Sequence, residues 1–391
     1  MMYKRYRYRI YPTKVQAQTL NRHFGAVRYI YNWGLATKKR AWEESKERVS
    51  YNDLQRQLPI LKKELTWLSD PYSQSLQISL QNLENAYAGF FAGNGYPAFK
   101  TKFSKQSLAY CPPPSRSYIN FDSSLIQVPK VGPVKCVISQ RFEGKLKTVT
   151  ISRTPTGKYF ASCLVEEDIN PAAKTEPIES GAVGVDLGIK YFATLSTGET
   201  IANPRHLSKS LKALRRASRQ HSKKKKGGKN REKSRKKLAR IHERVTNQRT
   251  DFLHKVTTRL VRENQTVCIE DLNVAGMGKN HKLARHIKDA GFGTFRRMLE
   301  YKAGWYGVNV LVIDRFAPSS KQCSCGHKND ALTLKDRVWT CVSCGTTHDR
   351  DQLAAKNIVR FAFHPEIVVK TLVGRGAPEL TPVETLALAG R

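Results

Sequence analysis

The sequence predicts a multidomain α/β protein: a small β-barrel carrying an inserted helical block, followed by an RNase H-like domain with an inserted zinc ribbon. Three observations predict it. A first strand and a later series of short strands bracket a long stretch of helical periodicity; acidic residues interrupt two apolar strands in the second half; and four of the eight cysteines crowd between Cys323 and Cys344.

A chain of 391 residues with 40% hydrophobic content has room for two or three globular domains. Its 68 Lys and Arg outnumber 32 Asp and Glu, leaving a formal charge of +36. Self-repulsion on that scale calls for a polyanionic partner, and nucleic acid is the first candidate. A membrane is the weaker one, since no run approaches the ~18 apolar residues of a spanning helix. The opening MMYKRYRYRIYP has no apolar stretch of signal-peptide type, so the expectation is a cytoplasmic protein without a membrane partner.

The opening strand, YKRYRYRIY, alternates basic with aromatic or apolar residues and ends at Pro12. From 14 to about 42, Leu20, Phe24, Val27, Tyr31 and Leu35 fall at helical spacing, and similar patterns fill 51–58 and 73–91. After Gly93 and Gly95 come the short runs SLIQVPKVG, VKCVISQRF, LKTVTISRT and YFASCLVEE, read as barrel strands that the first strand joins. Residues 170–180 read as a linker. GAVGVDLGIKYFATLSTGET then gives consecutive antiparallel strands, and VCIE and VNVLVID two more. Residues 205–244 hold eighteen Lys or Arg and two acids, and read as two helices meeting at the basic tip KKKKGGKN.

Asp186 stands between Val183, Val185 and two glycines on one core strand, and Glu270 ends another. A buried carboxylate needs a cation, a hydrogen-bond shell or a metal. HDRDQLAAKNI supplies a third acid at a helix start, Asp349 or Asp351; spacing alone does not choose between them. Two strand acids and one helix acid fit the RNase H plan. There, hard oxygen ligands hold two Mg²⁺ or Mn²⁺ ions ~4 Å apart for in-line hydrolysis of a phosphodiester. The plainer readings are a salt bridge for Asp186, solvated acids at 270 and 271, and a helix cap at 349 or 351.

Cys323, Cys325, Cys341 and Cys344 form two knuckles, C-S-C and C-V-S-C, separated by fifteen residues. Four thiolates are the ligand set of one structural Zn²⁺, with His327 or His348 as substitutes and two local disulfides as the alternative. Cys111, Cys136, Cys163 and Cys268 are scattered and read as small buried residues.

The ordered series GVDLGIKYFATLSTGE, VCIEDLNV, APSSKQCSCGHKN and WTCVSCGTTHDRDQLAAKNI resembles the TnpB proteins of bacterial insertion sequences, relatives of the type V CRISPR effectors. RIYPTKVQAQTLNRHFGAVRYIYN, YPAFK and PKVGPVKCV extend the resemblance to residues 3–362. It implies an RNA-guided DNA endonuclease whose guide RNA derives from the transposon end and whose target is double-stranded DNA beside a short motif. The implied organisation is a wedge (oligonucleotide-binding) barrel of 1–12 and 96–178 interrupted by a helical recognition domain, 13–95. A RuvC nuclease domain follows over 179–362, with a basic hairpin at 205–262 and the ribbon at 318–347; beyond the resemblance, 363–391 reads from its own residues as a disordered tail. The resemblance also implies Asp186, Glu270 and Asp351 as the catalytic, metal-binding triad. Two departures stand out. The first knuckle is C-x-C where the family has C-x-x-C, and Leu353 occupies the Asn of D-x-N-A-A, from which we expect reduced cutting that Leu353→Asn restores.

The resemblance and the charge together assign guide-RNA contacts to Lys223, Lys224, Lys225, Lys226, Arg235, Lys236 and Lys237. Tyr51, Ser73, Gln74 and Gln77 are the polar candidates for reading the target-adjacent motif. The expected assembly is a monomeric ribonucleoprotein. A guided DNA-binding repressor with impaired nuclease, and a transposition accessory that binds DNA without RNA, are the competing classes; the intact triad argues against the first.

Overall fold

The computed structural model describes residues 2–113, 118–168, 172–333 and 335–367. They form two compact units, Met1–Asn170 and Pro171–Arg391. Most of the expected tail, 368–391, lies outside the described residues.

In the first unit, β1 (Met2–Tyr11) leads into three helices, α1 (Lys14–Ser45), α2 (Tyr51–Glu64) and α3 (Ser73–Phe91). Thr13 and Gln16 start α1 with a reciprocal capping box, and Ser50 and Asp53 do the same for α2. The apolar stripe that the spacing predicts is buried: Leu20, Phe24, Ile30 and Leu35 belong to one core with Leu54, Leu76, Leu80 and Leu83. Gly34 lets α1 and α3 approach, because a Cβ there would meet Leu80 at 2.9 Å and Leu83 at 3.0 Å.

Six further strands complete the unit: β2 (Gln106–Tyr110), β3 (Ile119–Asn120), β4 (Leu125–Val128), β5 (Gly132–Val137), β6 (Lys145–Arg153) and β7 (Tyr159–Glu167). Their order is β2-β6-β7-β1-β5-β4-β3 and every pairing is antiparallel. The first strand therefore sits in the middle of the sheet, Met2 opposite Glu167 and Tyr11 opposite Lys135. Tyr8 and Ile10 face the core, while Arg7 lies over the Phe160 ring at 3.9 Å. The strands at 106–110 and 119–120 have no counterpart in the sequence reading; they are too short to show alternation.

The second unit is built on five strands. β8 (Ala182–Leu187), β9 (Tyr191–Leu195) and β10 (Thr200–Ala202) run antiparallel in succession. The helices α4 (His206–Ser222) and α5 (Lys229–Glu263) intervene before β11 (Thr266–Glu270), which pairs parallel with β8. Three helices not foreseen from the sequence, α6 (Val274–Met277), α7 (Ala284–Ala290) and α8 (Phe292–Tyr306), lead to β12 (Asn309–Ile313), parallel to β11. A hairpin, β13 (Val338–Thr340) and β14 (Thr347–Asp349), precedes α9 (Arg350–Phe363). Strand periodicity divides the sheet's faces. Val183, Val185, Val267 and Ile269 pack with Leu253 and Leu260 of α5 and Phe295 and Leu299 of α8, whereas Cys268 and Ile313 pack with Ile358 and Phe361 of α9. No helix of the described residues is long and apolar enough to cross a membrane.

Candidate metal centre

Asp186 and Glu270 occupy neighbouring parallel strands. The last registered pair between these two strands is Val185 with Ile269, so the next residue on each, Asp186 and Glu270, stands at the same level, Asp186 still paired with Thr194 of β9 and Glu270 with Ile313 of β12. Both lie on the face that α9 covers, two residues beyond Gly184 and Cys268. Gly184 sets the distance of that helix: a Cβ there would stand 2.0 Å from the Ala355 carbonyl oxygen and 2.9 Å from Val359. With Ala355 over Gly184, the residue one turn earlier on α9, Asp351, falls toward Asp186.

The electrostatics report the same proximity. Burial first, and then the charges of Glu270 and Asp351, together raise the Asp186 carboxyl from 3.8 to about 7 against a smaller downward pull from Arg350 and Arg337. Burial also raises Glu270, offset by a hydrogen bond that Ser319 Oγ donates to its Oε1 at 2.5 Å. Asp351 accepts from Arg337 Nη1 at 3.0 and 3.1 Å on its two oxygens. Asp186 and Glu270 thus stand on adjacent strands and Asp351 lies near enough to act on Asp186, but among the described residues only the four cysteines gather three or more ligand atoms closely enough to hold an ion as the chain stands.

The neighbouring acids have other work. Asp349 caps α9, accepting from the Gln352 backbone N–H at 2.9 Å, and Asp271 is clamped by Arg296 at 2.5 Å and by Arg315. Those guanidinium bonds hold Asp271 below the usual carboxylate range. Ser319 and Arg337 escape sequence reasoning: Ser319 lies in the APSSKQ run, and Arg337 shows no local pattern.

The four cysteines of the ribbon converge, their sulfurs all within 4.8 Å of one another. The shortened first knuckle still closes, because Gly326 at φ +93° turns the chain and the Cys323 N–H donates to the His327 carbonyl at 2.8 Å. His348 replaces no thiol; its Nε2 lies 3.1 Å from Cys323 Sγ. Hydrogen bonding with Thr346 pulls the Cys344 thiol down to about 6, whereas Cys325, against a backbone hydrogen bond at His327, is raised to about 11 by burial and by the other three cysteines. Leu353 proves to be part of this region: it is buried with Cys323, Leu332, Trp339 and Cys341. Its side chain packs the ribbon against α9, a role that reading it as a lost amide near Asp351 did not anticipate.

The basic tip between α4 and α5 exposes Lys223, Lys224, Lys225 and Lys226. Lys237 is exposed and Lys236 half-buried, but Arg235 is engaged by Glu232 at 2.6 and 2.8 Å. Lys209, Lys212, Arg216 and Arg219 line a groove of about 570 Å³ along α4, a basic surface that the sequence reading counted without singling out. In the first unit, Tyr51 packs partly against the core and Gln77 is half-buried. Ser73 Oγ accepts from Lys62 at 2.8 Å, and Gln74 accepts from the Cys111 N–H at 2.6 Å, so Gln74 spends its carbonyl oxygen inside the fold.

Comparison with known proteins covers nearly the whole chain. Family models match residues 1–47 ("Helix-turn-helix domain"), 161–281 ("Probable transposase", of the IS605 OrfB type) and 292–358 ("Cas12f1-like, TNB domain"). The first spans β1 and the single long helix α1 rather than two helices about a turn. A Streptomyces pristinaespiralis protein named "Putative RNA-guided DNA endonuclease" is 46% identical over 362 residues, 90% of this chain and 88% of its own. Escherichia coli K12 has a relative, "Putative RNA-guided DNA endonuclease InsQ", at 31% identity over 95% of both chains. Among solved structures, a cryo-EM structure of a Cas12f1–sgRNA–target DNA complex superposes with a TM-score of 0.59 at 12% identity, over 89% of this chain and 83% of that one. That likeness is one of fold.

Proposed function

The chain belongs to the IS605 OrfB (TnpB) family, and from that premise we propose that it is an RNA-guided DNA endonuclease with Asp186, Glu270 and Asp351 as its metal-binding acids. The observation that carries the site assignment is the placement of Asp186 and Glu270 at one level of adjacent parallel strands, beneath the first turn of α9. The donor set fits hard divalent cations. Three carboxylates are set toward one region, and burial with the two acidic neighbours raises Asp186 by more than the nearby arginines lower it. When bound, Mg²⁺ or Mn²⁺ ions supply the Lewis acidity for in-line hydrolysis of a phosphodiester.

The chain's own residues do the rest. Asp186, flanked by the other two acids, is the central ligand. Glu270, with Oε1 held by Ser319, offers Oε2. Arg337 neutralises Asp351 until the site fills and then has a guanidinium to spend on a phosphate. The four thiolates would hold one structural Zn²⁺ in the ribbon.

The α4–α5 tip and the groove along α4 would neutralise guide-RNA phosphates. The seven-stranded sheet would serve as the wedge barrel and α1–α3 as the recognition block, with sequence choice delegated to guide pairing next to a short DNA motif. The working assembly is a monomeric ribonucleoprotein.

The test is to express the protein with the DNA that flanks its gene, sequence the co-purified RNA, reprogram the guide and challenge a plasmid library with randomised flanks. Mg²⁺-dependent cutting beside one motif, lost in Asp186→Ala, is the expected result. Guided binding without cutting would make the protein a repressor, and absence of bound RNA would overturn the reading.

A further inference from the structure

We propose that Ser319 is a positioning residue for the metal centre and that Asn357 locks it there, so that the loop 319–322 braces Glu270 against the helix carrying Asp351. The inference rests on the reading of Glu270 as a metal ligand. A glutamate at a strand end turns freely about its last torsion unless something holds one oxygen. Ser319 does so, its hydroxyl donating to Glu270 Oε1 at 2.5 Å.

Ser319 is itself fixed from the other side. Asn357 Nδ2 donates to the carbonyl oxygens of Ser319 at 2.7 Å and of Gln322 at 2.6 Å. Asn357 is 3% exposed and sits in the middle of α9, where a buried amide is costly unless its hydrogen bonds are made; here both donor hydrogens go to one loop. One turn later, Arg360 donates to the carbonyl of Cys323, the residue that opens the first knuckle, at 3.3 Å. Inside the loop, the Ser319 N–H donates to Ala317 O at 2.8 Å and the Gln322 N–H to Pro318 O at 3.1 Å, leaving little slack.

The result is a closed path from Asp351 down α9 to Asn357, across to Ser319 and on to Glu270. The two outer acids of the triad are thereby set relative to each other through protein, before any cation arrives. Outer partners of this kind govern how tightly a ligand set grips its ion, and their loss typically lowers metal affinity about 10- to 100-fold. A loop serving only the fold would show no such effect. Ser320, half-buried beside it, is the control for loop structure alone.

The probe is Mn²⁺, titrated by calorimetry and by electron paramagnetic resonance into the purified ribonucleoprotein, with melting temperature measured on the same samples. Ser319→Ala is expected to weaken Mn²⁺ binding about tenfold or more without lowering the melting temperature, Ser319→Thr to restore it, and Ser320→Ala to leave it unchanged. Asn357→Asp, which keeps the shape but cannot donate, is expected to reproduce the loss. Parental binding in Ser319→Ala overturns the proposal, as does an equal loss in Ser320→Ala; parental binding in Asn357→Asp removes Asn357 from it. Asp186→Ala separates the two levels: if it binds Mn²⁺ as well as the parent does, the metal centre itself is misassigned, whereas if only Asp186→Ala loses binding, the brace alone fails.

Discussion

The cysteine cluster and the carboxylate cluster share one unit yet are assembled in opposite ways. The four thiols come from residues 323 to 344, and their sulfurs already lie within 4.8 Å of one another. The acids come from residues 186, 270 and 351, and are set on two strands and a helix by the whole sheet. Local turns suffice for the first. The acids sit where burial, and after it their mutual repulsion, pushes Asp186 up to about 7, while the other two lean on Ser319 and Arg337. On the proposed reading, a site that binds for structure closes in advance, whereas one that binds for chemistry keeps charge in reserve.

The largest effect should come from the open cluster. Asp186→Ala is expected to lower single-turnover Mg²⁺-dependent cutting on the order of 10³-fold or more while RNA and DNA binding persist; cutting within tenfold of the parent would break the contrast. Next, Cys341→Ser should drop zinc content and, by loosening the segment that carries Ser319 and Arg337, slow cutting about 10- to 100-fold. Loss of zinc with unchanged cutting would make the two clusters independent.

A third prediction concerns charge held in reserve. The folded protein keeps Asp186 protonated up to about 7 while the unfolded chain ionises near 3.8, so the folded state holds the extra proton and this group's contribution to stability falls as pH rises between those values. In chelator, the melting temperature of Asp186→Asn should therefore exceed that of the parent by a margin that widens from pH 4 to 7 and then levels, worth at most about 4 kcal/mol. A margin flat with pH would remove the strain argument. Gly184→Ala should cost about 1–3 kcal/mol in denaturant melts by pushing Ala355 off β8. Smallest, Leu353→Asn should lower stability by about 1–2 kcal/mol and not speed cutting, because an amide would replace apolar packing beside Cys323 and Trp339.

Legibility followed locality. Asp186 and Glu270 stood out because a charge inside an apolar strand violates its surroundings, and the cysteines because metal knuckles are short-range patterns. Asp349 and Asp351 were ambiguous because both sit at a helix start; the geometry shows Asp349 satisfied as the cap. Ser319, Arg337 and Asn357 are single polar residues whose partners lie far away in sequence, and nothing in their neighbours announces them. Gln74 shows what sequence cannot register, since its carbonyl oxygen is taken up by the Cys111 N–H far along the chain. Of the elements, α8 could have been found, since Phe292, Phe295, Leu299 and Ala303 keep helical spacing.

The position of β1 has a consequence in time. Its neighbours are β5 and β7, so the strand at residues 2–11 stays unpaired until residues 132–167 have been synthesised. Meanwhile the three helices between can form from nearby contacts. Pairing of β1 with β5 and β7 is non-local, so its loop-closure entropy is met before its contacts form. During that interval a basic, tyrosine-rich strand with both edges open is the part of the nascent chain most prone to pair wrongly, and its alternating arginines are what would discourage it.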